Sequence, residues 1–302
     1  MEPAPTAPIA AAPGAWQPFS FDGVAAFARA PFARLFLAQL LTAVVVAGCV
    51  LWFLARQWCP IIQTAISQLP AEGAAIHAGR LLWPDRQTHT FSETQFLALI
   101  VTPAEFADTG LTADLQFELG ETHLRLGSLF GYLAWPYTED RQLPLTRGEA
   151  EPWWGAWKPV LLAGVAVATI LCLFLGWALA AMPGTLIVWM VAFLANRESS
   201  RNGRWQLASA ALLPGAWLLA MGVVLYGLEW LPLLGLLLVA ALQVAVGSIY
   251  LFFAPFFLPR VPEAAPAGNP FHSAATAADL PSDRPPPDSA APRNPFAGGP
   301  GH

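Results

Sequence analysis

The chain has 302 residues, a formal net charge of −5, and a composition that is 56% hydrophobic and 12% charged. Soluble proteins carry about 25% charged residues, so this composition excludes an ordinary soluble protein. The negative net charge offers no basic field for nucleic acid. Only one of the 15 cationic residues is a lysine, which indicates a GC-rich genome and a bacterial source.

Four apolar runs determine the expected class of the protein. They cover residues 35–54, 160–196, 205–228 and 231–258. Twenty residues form a helix of about 30 Å, which is the thickness of the hydrocarbon core of a bilayer. We therefore expect an α-helical polytopic membrane protein with four to five membrane helices, an inserted small α+β domain and disordered termini.

Two segments precede the first membrane helix, which we expect at residues 35–56. Residues 1–19 are rich in Ala and Pro, a composition typical of a disordered tail. Residues 20–34 form an amphipathic lead-in, because Phe21, Val24 and Phe27 recur at near-helical spacing after Ser20, a suitable N-cap. This lead-in either lies on the membrane surface or extends the first helix.

Residues 57–157 form a polar insert that is long enough for one small domain. A short helix ends before Pro70, and strand patterns follow at about 75–83, 95–102, 113–119 and 122–126. Polar and apolar residues alternate from Asp114 to Leu119 and again after Gly120. This alternation predicts a hairpin with one buried face and one wet face. We expect an α+β domain built on an antiparallel sheet of about four strands.

The insert has no recognisable catalytic motif. It carries five arginines and twelve acidic residues, a surface that disfavours polyanions. Cys59, His77, His89 and His123 are residue types that bind zinc, but no pair of them has the spacing of a known zinc motif. The chain also lacks a nucleophile elbow and a phosphate loop. We therefore predict no catalytic residue, no metal ligand and no cofactor.

Residues 158–258 are expected to form a helical membrane block. Its predicted helices lie at about 160–182, 184–196, 205–228 and 231–258. Pro183 and Gly184 interrupt the longest apolar run as a turn would. The piece after this break would be only about 18 Å long and would lie re-entrant or tilted. The alternative is two short helices that both cross, which gives five spans.

Arginines indicate the orientation of the chain. Short cytoplasmic loops collect Lys and Arg, and the loop before residue 205 contains Arg197, Arg201 and Arg204. We take these three residues as topology determinants on the cytoplasmic side. The insert is then extracytoplasmic, and the protein is a multi-pass protein of the inner membrane of a bacterium.

An aromatic cluster comes directly before the second apolar run. It consists of Trp153, Trp154 and Trp157 beside Lys158. Tryptophan is enriched at membrane interfaces. We therefore expect these four residues to anchor the insert to the outer surface of the bilayer.

Residues 259–302 form a tail rich in proline, alanine and glycine that is expected to be disordered. Within it, Asn269-Pro270-Phe271 recurs as Asn294-Pro295-Phe296. A repeated tripeptide with one aromatic anchor on a flexible tether suits a short docking motif for a soluble protein, and two copies would add avidity. The alternative is that Asn-Pro forms an ordinary turn.

The order of elements is Pro31-Phe32, one span, an insert and a helical block, and three further stretches lie at 193–196, 204–208 and 213–215. In this order and in these stretches the chain resembles a family of uncharacterised bacterial membrane proteins related to the Yip-type five-span proteins. It implies a five-helix membrane domain without an established activity, and it carries over no functional residue. Two features depart from the family: the tail with two motifs, and the absence of a tyrosine from the arginine loop.

Three hypotheses of function follow. The first is a non-enzymatic membrane scaffold or adaptor whose insert binds a protein partner or ligand, and whose tail docks a soluble protein. The second is an accessory subunit of a transporter or channel, although charged residues within the spans, which mark coupled transport, are missing. The third is a membrane-bound metalloenzyme that uses the histidines of the insert.

Overall fold

The computed structural model describes residues 17–85, 87–102, 110–139 and 142–261. Within these ranges, four helices are long and apolar enough to cross a membrane. They are the continuous helical stretches Phe32–Ser67, Arg147–Leu194, Arg201–Gly227 and Leu233–Phe257, some of which combine several of the shorter elements given below. Residues 1–260 form one compact unit and 261–302 a second. Of the second unit only Val261 lies within the described residues.

The helical part of the described chain consists of seven α-helices, two 3₁₀ turns and one π-helical turn. The helices are α1 (Phe21–Ala26), α2 (Phe32–Phe53), α3 (Cys59–Ser67), α4 (Arg147–Leu194), α5 (Arg201–Ala210), α6 (Leu213–Gly227) and α7 (Leu233–Phe253). A 3₁₀ turn (Phe27–Arg29) follows α1, a π-helical turn (Leu54–Trp58) joins α2 to α3, and a second 3₁₀ turn (Ala254–Phe257) ends α7.

The α5–α6 pair is the centre of the bundle. In the most apolar 18-residue stretch of this pair, 61% is buried inside the protein, whereas the buried share is 6% in the corresponding stretch of α4 and 11% in that of α7. Glycines allow the close approach of neighbouring helices. A Cβ added at Gly215 of α6 would lie 2.5 Å from the backbone oxygen of Gln243 on α7. The two helices therefore touch backbone to backbone at this point.

The lead-in does not extend the first helix, because α1 and α2 are separate helices, and its apolar side chains pack against the bundle. Ser20 is the N-cap of helix α1, and its hydroxyl accepts a hydrogen bond from the backbone N–H of Gly23 at 3.0 Å. Val24 and Phe27 are buried in the same core as Leu207 of α5. The chain then breaks at Pro31 before α2 begins. Burial of this apolar face in the bundle explains why the short segment is helical.

The expected break at Pro183 and Gly184 does not occur, because α4 continues for 48 residues from Arg147 to Leu194. Two features hold the helix together there. Gly184 packs closely against Ala208 and Leu251, which belong to α5 and α7. The hydroxyl of Thr185 donates to the carbonyl of Ala181 at 2.7 Å. Neighbouring helices and hydroxyl side chains are known to support proline inside apolar helices.

The insert contains two sheets instead of the single antiparallel sheet of about four strands that the sequence predicted. The strands are β1 (Ala75–His77), β2 (Arg80–Leu82), β3 (His89–Glu93), β4 (Leu97–Val101), β5 (Leu115–Leu119), β6 (His123–Ser128), β7 (Gly131–Pro136) and β8 (Leu143–Pro144). One sheet has the order β2-β1-β8 and the other β3-β4-β5-β6-β7. Strands β4 and β5 are parallel, and all other pairs are antiparallel. The segment expected as one strand at 75–83 is the β1–β2 hairpin, because Ala78 and Gly79 turn the chain with positive φ.

The β5–β6 hairpin is confirmed, but the prediction of a wet polar face is wrong. Gln116 and Glu118 of β5 are fully buried, whereas Leu115, Phe117 and Leu119 are half-buried. The side-chain oxygen of Gln116 accepts hydrogen bonds from the N–H and the hydroxyl of Thr112. Partners within the insert thus offset the cost of burying these polar groups.

Glu118 is the centre of this buried polar network. Its carboxylate accepts a hydrogen bond from the amide of Gln116 and lies 3.5 Å from Nη1 of Arg125 on β6. The guanidinium of Arg125 in turn lies 3.6 Å from the ring centroid of Tyr132 on β7. The network therefore links three adjacent strands of the larger sheet.

The larger sheet rests on the end of the bundle where α6 ends. Phe96, which precedes β4, packs edge-on against Phe53 of α2 and Tyr226 of α6, with ring centroids 5.3 Å and 4.8 Å away. The amide of Gln57 donates to the carbonyl of Gly227 at 2.6 Å. Aromatic packing therefore fixes the sheet to one end of the bundle, and the Gln57 hydrogen bond joins the turn after α2 to α6 at the same end.

Candidate functional site

Strand β7 is one of the two edge strands of the larger sheet. All six of its residues are exposed, and β6 is its only strand neighbour in the described residues. Natural proteins normally protect such edges with charges, bulges or covering loops. No charged residue occurs from Leu129 to Pro136. Within the described residues the edge is therefore apolar and uncharged, and before Pro136 it is able to pair with another strand.

The apolar side chains of this edge continue a larger apolar face. Leu133 and Trp135 lie opposite Leu126 and Leu124 of β6, so the four side chains share one face of the sheet. Leu133 and Trp135 are about half exposed. A sheet face that is partly covered and ends in an exposed edge is a typical protein interaction surface.

The far end of β7 is held in place by Tyr137. Its hydroxyl donates to the carbonyl of Gly120 at 3.1 Å, and the residue packs against the core between the two sheets. Burial raises the pKa of Tyr137 to about 12. The hydroxyl therefore remains a protonated donor at physiological pH.

An apolar pocket of 390 Å³ lies where α3, β8 and the start of α4 meet. Its walls include Ile62, Ile66, Leu145, Trp153 and Trp154, with the carboxylate of Glu149 as the charged group. The indole N–H of Trp154 is buried and has no hydrogen-bond partner among the residues that the structure describes. An apolar pocket with a few convergent polar groups is the usual form of a small-molecule site.

The predicted interface anchors occupy the first three turns of α4. Trp153 and Trp157 are exposed, and their rings stack with centroids 6.3 Å apart. Trp154 instead turns towards the pocket, and Lys158 is half-buried. The four residues therefore do not share one environment. Trp154 lines the pocket, whereas Trp153 lines the pocket and also stacks on the exposed ring of Trp157.

The three arginines of the predicted topology loop also differ from one another. Arg197 is half-buried, and its Nη1 donates to the carbonyl of Leu258 at 2.6 Å. Arg201 is exposed at the start of α5, and Arg204 contacts the carbonyl of Ser200. Arg197 therefore joins the end of α4 to the segment after α7, a structural role that its position in the loop does not reveal.

The zinc-type residues are spread over the insert. Cys59 is buried, His77 lies in β1, and His89 lies 3.6 Å from Asp85. Within the described ranges, no three His, Cys, Asp or Glu side chains are close enough to hold a metal ion. The motifs Asn269-Pro270-Phe271 and Asn294-Pro295-Phe296 lie outside the described residues.

Neither the β7 edge nor the pocket was predicted from the sequence. A signal for β7 was present in the β-favouring residues Tyr132, Leu133 and Trp135. The pocket had no local signal, because its walls come from segments about 80 residues apart in the chain. Comparisons of the chain with protein-family models, curated proteins and solved structures found no match.

Proposed function

We propose that the chain is a non-enzymatic adaptor of a bacterial inner membrane that binds an extended segment of a partner protein. It crosses the membrane four times and holds its sheets on the extracytoplasmic side. The observation that carries this proposal is that all six residues of β7 are exposed on an apolar sheet edge. An extended peptide added to such an edge gains main-chain hydrogen bonds, and alternate side chains provide specificity.

The arrangement of the helices supports four crossings and this orientation. The insert contacts α6 at Tyr226, whereas the arginine loop contacts the segment after α7 through Arg197 and Leu258. These contacts belong to opposite ends of the bundle, since α6 and α7 are antiparallel neighbours. Arginines collect on the cytoplasmic side, which favours the extracytoplasmic side for the insert.

The surface of the insert limits the chemistry of the partner. The partner segment would present apolar side chains at alternate positions to Leu133 and Trp135. The excess of acidic over basic residues in the insert favours a partner with basic residues beside that apolar segment.

Site-specific photo-cross-linking in intact membranes tests the proposal. A photoreactive residue at Tyr132 should give one specific adduct, and Leu133→Lys should remove it because a charge on an edge opposes strand addition. Leu82→Lys is the matched control, since Leu82 is 53% exposed on the edge strand β2 and Leu133 is 51% exposed. An adduct that survives Leu133→Lys, or no adduct at all, would overturn the proposal.

The tail is proposed to add a second contact, with a soluble protein. The repeated Asn-Pro-Phe motif supports this role. Replacing Phe271 and Phe296 by alanine should remove capture of the soluble protein and leave the β7 adduct unchanged. Loss of neither interaction would refute the role of the tail alone.

Ligand binding is the second candidate function, and the buried N–H of Trp154 favours it. The pocket suits a neutral apolar molecule with one hydrogen-bond acceptor. Native mass spectrometry of the purified full chain should detect a co-purified molecule that Trp154→Phe releases and Trp157→Phe retains. Equal retention by both variants would exclude this site.

A further inference from the structure

The turn between β6 and β7 presents two apolar side chains at its tip, Leu129 and Phe130. Phe130 is 86% exposed, more than any other large hydrophobic residue in the described ranges. The turn is well defined, because the hydroxyl of Ser128 accepts a hydrogen bond from the N–H of Phe130 at 3.3 Å. Gly131 has a φ of +113°, a conformation that glycine adopts without strain. The exposure is therefore a property of an ordered turn.

The tip lies beside the start of α7. Leu129 shares a cavity of 430 Å³ with Pro232, Leu233 and Leu234. These residues lie at the start of the last apolar run, residues 231–258, which follows Glu229 and contains no charged residue. Because the first apolar residues of a spanning helix lie at the edge of the hydrocarbon core, Leu129 lies at that level as well.

Other large apolar side chains at the same level are also exposed. Trp230 is 74% exposed in the turn before α7, and Leu234 is exposed on its first turn. Tryptophan prefers the membrane interface, where its ring is partly in an apolar environment. The exposed residues of the turn before α7 and of the β6–β7 tip thus form one apolar corner of the molecule.

We propose that the β6–β7 tip is a membrane anchor, in which Leu129 and Phe130 insert into the outer leaflet beside Trp230. The occupant of this surface is lipid, because the tip lines one cavity together with the start of a helix that is apolar enough to span the bilayer. Burial of both side chains in lipid removes their apolar surface from water. The inference rests on the proposed membrane location of the helices.

The anchor does not depend on the charge of the lipid. The tip itself carries no charge, and no charged residue follows it before Pro136. Insertion by apolar side chains alone should be similar in zwitterionic and anionic bilayers. An electrostatic attachment would instead change with headgroup charge and with salt.

A depth measurement on the full chain tests the anchor. In a variant without the three native cysteines, Phe130→Cys carries an environment-sensitive dye, and the protein is placed in phosphatidylcholine nanodiscs with nitroxide-labelled lipids. We expect quenching about threefold stronger for the dye at Phe130 than for the same dye at Gln87, an exposed residue of the insert. Leu129→Cys is the second probe position, in case the substitution of Phe130 disturbs the turn.

A third probe separates failure of this inference from failure of the proposed membrane location. Leu238 is exposed on α7, so a dye at Leu238→Cys reports whether that helix lies in lipid. Quenching at Leu238 without quenching at Phe130 or Leu129 would overturn the anchor alone. Absence of quenching at all three positions would overturn both proposals.

Discussion

The phenolic hydroxyl of Tyr226 donates a hydrogen bond of 2.6 Å to a carboxylate oxygen of Asp114. Tyr226 is buried near the end of α6, and Asp114 directly precedes β5. This hydrogen bond connects the central helix pair to the larger sheet.

Tyr226→Phe should loosen the sheet from the bundle without changing the packing of the ring against Phe96. A hydrogen bond to a charged group contributes about 1.5–3 kcal/mol, and we expect a destabilisation in this range. Thermal unfolding in detergent and hydrogen exchange at residues 96–115 measure it. Tyr132→Phe on the exposed edge is the control and should change neither. An unchanged exchange rate in Tyr226→Phe would contradict a role for this bond.

Glu118→Ala should destabilise the insert strongly, because it removes the buried carboxylate that Gln116 and Arg125 contact. Removal of one member of a buried ion pair costs about 3–5 kcal/mol. Near-UV circular dichroism and thermal unfolding of the full chain report this loss. Glu121→Ala is the matched control: Glu121 pairs with Arg80 at 3.7 Å on the surface, where such pairs contribute less than about 1 kcal/mol. Similar effects for the two variants would contradict the importance of the network.

Gly215→Ala should separate α6 from α7. The added Cβ would lie 2.5 Å from a backbone oxygen of α7, and overpacking of this kind costs about 1–3 kcal/mol. Gly164→Ala is the control, since a Cβ at Gly164 on α4 meets no atom within 4 Å. Thermal unfolding in the same detergent should show a lower midpoint for Gly215→Ala only.

Arg197→Gln should free the segment after α7 at the opposite end of the bundle. The substitution removes the guanidinium that donates to the carbonyl of Leu258. Hydrogen exchange or protease cleavage near residues 255–261 should increase. Arg201→Gln removes an equal charge from an exposed position and should leave cleavage unchanged. Equal cleavage in both variants would indicate that charge alone, and not this contact, holds the segment.

Reporter fusions should place the insert and the end of α7 on opposite sides of the membrane. Four crossings predict an extracytoplasmic reporter after Gln87 and a cytoplasmic reporter after Arg260. Alkaline phosphatase and fluorescent protein fusions read the two sides. Reporters on the same side would mean that the chain crosses the membrane four times after the insert and not three times, which is the five-span arrangement.

The helical part was largely predictable because long apolar runs have few alternatives. The break at Pro183 was not, since its fate depends on Ala208 and Leu251, which lie on other helices. The packing of the lead-in was not predictable for a similar reason. Its apolar face packs against α5, and a sequence pattern specifies an apolar face without specifying what covers it.

The insert was less predictable because its sheet order depends on long-range contacts. Alternation in β5 correctly indicated a strand, but it could not show that Gln116 and Glu118 would be covered. Their partners Thr112 and Arg125 come from segments on either side of the strand. The parallel pairing of β4 with β5 also leaves no local pattern. The candidate pocket and edge therefore became visible only in the folded chain.

Helix α4 is about 72 Å long at 1.5 Å per residue, and one end forms a wall of the pocket while the other leads to Arg197. A tilt of about 5° would displace the far end of such a helix by about 6 Å. A tilt at Trp153 and Trp154 would therefore also move Arg197, which donates to the carbonyl of Leu258.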